Sequence, residues 1–148
     1  MMKKTLFVFA AAALLCAPAT LGAQQKDEWT AQVRKQLRAA GAELEKHGYE
    51  LTHHIYTGAL DDGDDDTVEF ELEIGAEYQI VGVCDTDCSD LDLTIFDTTG
   101  KEIDSDDEDD DAPIVTAEPR RTGRYRVVVS MAACSAEPCR YGIGIFGK

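Results

Sequence analysis

The chain has little positive charge. Its 148 residues include 14 lysines and arginines against 29 aspartates and glutamates, which gives a formal net charge of -15. Nucleic-acid binding needs clustered Lys and Arg side chains that displace counterions from phosphates, so we expect no nucleic-acid partner. Cations, or a basic surface on another protein, are the partners that this charge favours.

Long apolar runs are also absent beyond the start of the chain. The uncharged apolar run at residues 6–16 is shorter than the ~20 residues that a membrane-spanning helix needs. It follows Lys3 and Lys4 and leads into small residues that end at Ala23, which is the layout of a secretory signal. We predict a signal peptide over residues 1–23 and a periplasmic or extracellular product with no integral membrane segment after cleavage.

Cysteines are few, and their number is informative. Removal of residues 1–23 deletes Cys16, Lys3 and Lys4 but no acid, which changes the formal charge from -15 to -17. The cysteines that remain are Cys84, Cys88, Cys134 and Cys139. An even number in an oxidising compartment predicts two disulfides.

Three disulfide connectivities are possible for these cysteines. The short spacings favour the local pairs, although bridges between the two segments stay open. The alternative is that the four cysteines bind a zinc ion, but the thiols of exported proteins normally oxidise. Neither segment has the C-x-x-C spacing of a thioredoxin-type dithiol.

Groups that commonly perform catalysis are scarce as well. The chain has 3 histidines, and it contains neither G-x-S-x-G nor H-E-x-x-H. His53 and His54 are adjacent on a predicted strand, so they point to opposite faces and are poorly placed to share a metal. We therefore predict a non-enzymatic protein. The alternatives are an enzyme or enzyme subunit that acts on a cationic substrate, and an envelope structural or stress protein.

An amphipathic helix is predicted over residues 27–47, within the segment 24–48. Spacings of three and four place five residues on one helical stripe: Trp29, Val33, Leu37, Ala40 and Leu44. Asp27 is expected to cap the start and Gly48 the end. We expect this helix to pack across one face of the following domain, with docking to a partner as the alternative.

The period of the apolar residues changes to two after Gly48. The clearest strand places Val68, Phe70, Leu72 and Ile74 on one face, against polar neighbours. Further strand candidates follow at 78–83, 91–96, 113–117, 124–130 and 140–146. This pattern predicts that residues 49–148 form one mainly β domain, an antiparallel sandwich of about seven or eight strands.

Two residues interrupt the polar alternation on the outer faces of these strands. They are Phe96 and Val128. We expect the helix or a loop to bury them.

Three segments together resemble the bacterial pre-peptidase C-terminal domain. They read YQIVGVC at 78–84, DLDLTIFDTTG at 90–100 and TGRYRVVV at 122–129. The resemblance covers about residues 67–146. It implies a jelly-roll-like β-sandwich, of a kind that commonly follows secreted peptidases and is linked to secretion, substrate attachment and, in collagenase relatives, calcium binding. This chain carries the domain alone, without a peptidase, and adds a helix and paired cysteines.

Acidic residues concentrate in three predicted loops, at 61–66, 85–92 and 104–111. Neighbouring carboxylates repel one another, and a hard cation with oxygen ligands relieves that repulsion. An EF-hand is excluded because Thr67 stands where its loop needs glycine, and because Glu73 falls in a predicted strand.

The segment 85–92 is the better candidate for a cation site. Its carboxylates are Asp85, Asp87, Asp90 and Asp92, and a disulfide between Cys84 and Cys88 would hold the loop before binding. We predict these four aspartates as calcium ligands. The acids of 61–66 and 104–111 are interpreted as solvated charge that keeps the protein soluble and blocks edge pairing of strands.

Overall fold

The computed structural model describes the backbone of residues 21–148 and the side chains of residues 28–148. Its elements in chain order are α1 (Leu21–Glu45), β1 (Glu50–Leu51), β2 (Tyr56–Leu60), β3 (Asp65–Leu72), β4 (Tyr78–Cys84), β5 (Cys88–Phe96), β6 (Glu102–Asp106), β7 (Ile114–Ala117), β8 (Gly123–Cys134) and β9 (Cys139–Gly147). The predicted signal peptide lies outside the described residues except for 21–23, which begin α1, and Cys16 lies outside them entirely.

The strands form two antiparallel sheets. One sheet has the order β1-β9-β4-β7, with β2 also paired to β9, and the other has the order β3-β8-β5-β6. We call the first the helix-side sheet and the second the open sheet, because α1 packs on β9, β4 and β1. The prediction of a mainly β antiparallel sandwich with one N-terminal helix is confirmed, with nine strands in the described residues.

The main core lies between the sheets and follows the predicted alternation. In β5, Leu91, Leu93 and Ile95 are fully buried, and in β8 Val127 and Val129 are fully buried. Their sequence neighbours are partly exposed on the outer face. Side chains of period two therefore decide which face of each strand is buried.

The strand at 67–74 ends earlier than its pattern suggests. Val68, Phe70 and Leu72 are buried as predicted, whereas β3 ends at Leu72 and Ile74 is 62% exposed in the following turn. The turn needs Gly75, whose φ of 87° is in the left-handed region.

Helix α1 packs on the outer face of the helix-side sheet, as predicted. Val33 and Leu37 join a second buried cluster with Val81, Val83 and Phe146. The sheet accepts the helix closely because β9 carries glycine on this face. A Cβ atom at position 142 would lie 3.0 Å from Leu37 Cδ1. The helical stripe is therefore occupied by contacts within the chain.

Two expectations about the helix surroundings were wrong. The helix was expected to start at Asp27, whereas α1 covers Leu21–Glu45, so Asp27 lies within the helix. Phe96 and Val128 are on the open sheet, which the helix does not cover, and both stay half-buried. The guanidinium of Arg126 lies over the Phe96 ring at 4.3 Å from its centroid, which shields the ring in part.

Candidate functional site

Four strand connections lie at the same end of the sandwich, and they carry acids without any Lys or Arg. The antiparallel registers bring three of them together: Leu60 pairs with Cys139, Cys84 with Tyr141, and Cys88 with Cys134. Backbone hydrogen bonds hold the fourth, because the N–H of Leu91 donates to the carbonyl oxygen of Asp110 and the N–H of Gly82 to that of Pro113. We call these connections, residues 61–64, 85–87, 107–113 and 135–138, the acidic end. Its acids are Asp61, Asp62, Asp64, Asp85, Asp87, Asp107, Glu108, Asp109, Asp110, Asp111 and Glu137.

Both cysteine pairs are at the acidic end. The Sγ atoms of Cys84 and Cys88 are 1.97 Å apart, and those of Cys134 and Cys139 are 2.09 Å apart. The pairs are thus the two local ones of the three possible connectivities. Because Cys88 lies opposite Cys134 on neighbouring strands, the two disulfides are adjacent in space.

Hydrogen bonds join three of the acidic connections to one another. The backbone N–H and the hydroxyl of Ser135 donate to the carbonyl oxygen of Asp87, at 2.8 and 2.9 Å. The backbone N–H of Cys134 donates to Asp62 Oδ1 at 2.7 Å, and the N–H of Asp62 donates to Glu137 Oε1 at 2.9 Å. The carboxylates of this end are therefore carried on a connected framework.

Asp85 differs from the other three predicted ligands because its carboxylate binds backbone groups. Its Oδ1 accepts the N–H of Asp87 at 3.2 Å, and its Oδ2 accepts the N–H of Arg140 at 2.7 Å. The residue is 2% exposed. Asp85 thus fixes the Cys84–Cys88 loop to the start of β9.

Asp90 and Asp92 lie on β5 and face a different group of acids. Burial raises the pKa of Asp90, and the charges of Asp109 and Asp110 raise it further. Burial also raises the pKa of Asp92, followed by the charge of Asp90 and of acids in segment 106–109. We call Asp90, Asp92, Asp106, Asp107, Asp109 and Asp110 the β5 carboxylate cluster.

The Oδ1 atom of Asp90 is buried and has no hydrogen-bond partner among the residues that the structure describes. An ionised oxygen in that position lacks both water and a donor, which is unfavourable unless a cation or a proton is supplied. Within residues 28–148 no three His, Cys, Asp or Glu side chains converge closely enough to form a ready-made metal site. Two other members of the cluster already have donors, because Asp106 accepts the N–H of Ile114 at 2.8 Å and Asp110 accepts the N–H of Ala112 at 2.9 Å. Asp90 is thus the member of the cluster with a buried oxygen that lacks a partner in the described residues.

Part of segment 104–111 is not solvated charge. Asp106 Oδ2 accepts the N–H of Ile114 at 2.8 Å, and Asp104 Oδ2 accepts the N–H of Thr116 at 2.7 Å. Strand β7 is an edge strand of the helix-side sheet, so these N–H groups have no neighbouring strand to bind. The two carboxylates close the sandwich at this edge.

The histidines make separate contacts. His53 Nε2 lies 2.9 Å from the carbonyl oxygen of Glu71, and the His54 ring contacts the Tyr56 ring at a tilt of 43°, with a centroid separation of 4.1 Å. Burial raises the pKa of Tyr56. The two rings therefore serve different packing contacts at the β2–β3 edge of the sandwich.

Comparison with known protein families finds no family whose profile matches the chain, and comparison with curated proteins finds no match. The resemblance to the pre-peptidase C-terminal domain therefore stays a prediction. Within the described residues, the helix is not both long and apolar enough to cross a membrane.

Proposed function

We propose that the protein is an exported, non-enzymatic binding or accessory domain whose β5 carboxylate cluster, beside the acidic end, binds a cation, with calcium as the ion. The observation that carries this proposal is the buried and unpartnered Oδ1 of Asp90, which belongs to a cluster of carboxylates on β5 and in segment 106–110. A cation beside Asp90 and Asp92 would supply the missing partner and offset their mutual repulsion.

Calcium suits this group better than magnesium. It takes six to eight oxygen ligands in a flexible geometry, some of which are water, whereas magnesium demands a strict octahedron. The exposed carboxylates of 107–110 lie on a connection between strands and can close on an ion held by the two β5 aspartates. Weak affinity, with Kd of about 10⁻⁴–10⁻³ M, is typical of extracellular calcium modules.

Export is supported by the composition of the start of the chain and by the two disulfides. Residues 1–23 have the layout of a signal peptide. Disulfides persist in oxidising compartments and are rare in the cytosol. We therefore place the protein in the periplasm or outside the cell.

The resemblance to pre-peptidase C-terminal domains supports the same proposal. A domain of that type would act as a binding module rather than as an enzyme. A basic surface on a partner protein would dock at the same acidic end, where four connections offer carboxylates without competing cations.

Calorimetry of the chelator-treated protein tests the calcium proposal. We expect saturable heat with calcium chloride, weaker heat with magnesium chloride, and loss of the calcium heat in the double variant Asp90→Asn/Asp92→Asn. Asp61→Asn is the matched control, because it removes one charge from the acidic end outside the β5 carboxylate cluster. Absence of saturable heat in the wild type, or equal heat in the double variant, contradicts the proposal.

A further inference from the structure

The positive charge of the sandwich is gathered at the end opposite the acidic end. Within residues 49–148, four of the basic side chains line one cleft, namely those of Lys101, Arg120, Arg121 and Lys148. Arg124 and Arg126 are on the neighbouring open sheet, and Arg140 alone starts a strand at the acidic end. The domain is therefore charged asymmetrically along its strands.

The cleft has a volume of about 1000 Å³ and lies among the connections 73–77, 97–101 and 118–122. Its floor includes Tyr125, which is 3% exposed. The Tyr125 hydroxyl donates to the carbonyl oxygen of Arg121 at 3.0 Å, so the backbone that carries the two arginines is anchored to the core. The rim is thus held in place from below.

Several acids of the cleft already have partners within the chain. Glu77 accepts the Tyr49 hydroxyl, and its Oε2 lies 3.5 Å from Lys148 Nζ. Asp97 Oδ1 accepts the N–H groups of Thr99 and Lys101 at 2.8 and 3.0 Å. These two carboxylates are engaged in local bonds, so neither of them pairs with the arginines of the cleft.

Three cations of the cleft remain without an ion pair. Among the described residues, no carboxylate lies within salt-bridge distance of Lys101, Arg120 or Arg121. Glu102 and Glu118 are exposed on the rim. The unpaired guanidinium groups offer donors that match a carboxylate in shape as well as in charge.

We propose that this cleft binds the acidic 107–111 connection of a second copy of the chain, so that copies associate head to tail. The same molecule supplies the occupant, because it carries at its other end five consecutive exposed acids at 107–111. The two surfaces are different and opposed, so each bound copy leaves one free end of each kind. Such a contact builds open chains rather than a closed dimer.

The ionic strength of the solution determines whether this contact between copies forms. Copies that lack residues 1–23 carry a formal charge of -17 and repel at long range, but the Debye length at 0.15 M salt is about 8 Å, which screens distant charges and spares groups in contact. At 1 M salt the Debye length falls to about 3 Å, and the contacts weaken as well. The association is therefore expected at physiological ionic strength and lost at 1 M sodium chloride.

Sedimentation velocity of the purified protein in EDTA tests the proposal over a concentration series. We expect species larger than a dimer for the wild type. Arg120→Ala/Arg121→Ala removes the cleft charges, and Glu108→Lys/Asp111→Lys weakens the acidic connection while it keeps all of the β5 carboxylate cluster. Each double variant should be monomeric alone, but an equimolar mixture should form dimers and nothing larger, because each variant retains one functional end.

The control is Lys35→Ala/Arg38→Ala, which removes two exposed positive charges from α1 and should associate like the wild type. A monomeric wild type at all concentrations overturns the proposal, as does a mixture of the two variants that stays monomeric. Wild-type association by Arg120→Ala/Arg121→Ala overturns it too. Because EDTA is present throughout, these outcomes are independent of the calcium titration.

Discussion

The aspartates of this chain differ in what their carboxylates contact. Asp85 binds two backbone N–H groups, Asp104 and Asp106 bind the edge of β7, and Asp90 has a buried oxygen without a partner in the described part of the chain. The amino-acid composition does not distinguish these aspartates. Their environment gives the first three carboxylates backbone donors and leaves one oxygen of Asp90 without a donor.

The role of Asp85 predicts a clear effect on stability. Asp85→Ala leaves the N–H groups of Asp87 and Arg140 without their acceptor at a buried position, so the free energy of unfolding should fall by about 2–4 kcal/mol. Urea unfolding measures this change. Asp87→Ala is the matched control, because Asp87 contributes its backbone rather than its carboxylate to the loop contacts, and it should change stability by less than about 0.5 kcal/mol. Equal effects in the two variants would refute the structural role of the Asp85 carboxylate.

At the scale of elements, period-two alternation predicted the strands and their buried faces. It could not predict which strands pair, because alternation says that one face is buried and not what covers it. For the same reason the pattern could not place Phe96 and Val128, which lie on the sheet that α1 does not cover. The end of β3 at Leu72 depends on the turn at Gly75 rather than on the apolar residue Ile74.

The candidate site was predicted from four aspartates that are close in sequence, at 85–92. The pairing of strands separates Asp85 from this group and brings acids of segment 106–110 beside it. Asp85 falls in the connection before β5, whereas segment 106–110 is brought beside Asp92 by the β5–β6 hairpin, in which Leu93 pairs with Asp106. The turn residues at 97–100 were the sequence feature from which this hairpin could have been predicted. Asp97 accepts the N–H of Thr99, and Gly100 has a φ of 83°, so the DTTG sequence is suited to a tight hairpin.

Glycine in the middle of α1 provides a test of helix packing. A Cβ atom at Gly41 would lie 2.8 Å from Cε1 of Phe146, a buried residue of β9 in the cluster that the helix covers. Helix propensity alone predicts that Gly41→Ala stabilises the protein by about 1 kcal/mol. We expect destabilisation by about 1–3 kcal/mol instead, because the ring must move within a packed cluster.

Thermal or urea unfolding of Gly41→Ala decides between the two effects. Ala42→Gly is the control at the adjacent exposed position, where propensity acts without the Phe146 contact and should cost about 1 kcal/mol. A Gly41→Ala protein that is more stable than the wild type would show that the helix does not sit against Phe146 as described.

At the scale of the whole molecule, the fold separates charge. Antiparallel connections alternate between the two ends of the sandwich, so acids that are distant in sequence collect at one end without a Lys or Arg, whereas the cleft at the other end is lined by four cations and four carboxylates. Linear sequence shows the acidic runs but not their convergence, since convergence depends on which end each connection occupies. Two adjacent disulfides then hold the acidic end together.

The raised pKa values of Asp90 and Asp92 link this charge to stability. A carboxyl group whose pKa is higher in the folded than in the unfolded state favours folding at low pH, and this contribution is lost as the pH rises through the folded value. At neutral pH without a cation, both ionised groups therefore destabilise the fold. Replacing them with neutral amides should remove that penalty.

Unfolding measurements test most directly whether Asp90 and Asp92 bind a cation. The free energy of unfolding is measured for the wild type and for Asp90→Asn/Asp92→Asn, each in EDTA and in millimolar calcium. In EDTA at pH 7 the variant should be the more stable protein, and its advantage should shrink as the pH falls toward 4. Calcium should stabilise the wild type and leave the variant unchanged. A variant that is less stable than the wild type in EDTA, or that gains equally from calcium, would contradict a cation-binding role for these carboxylates.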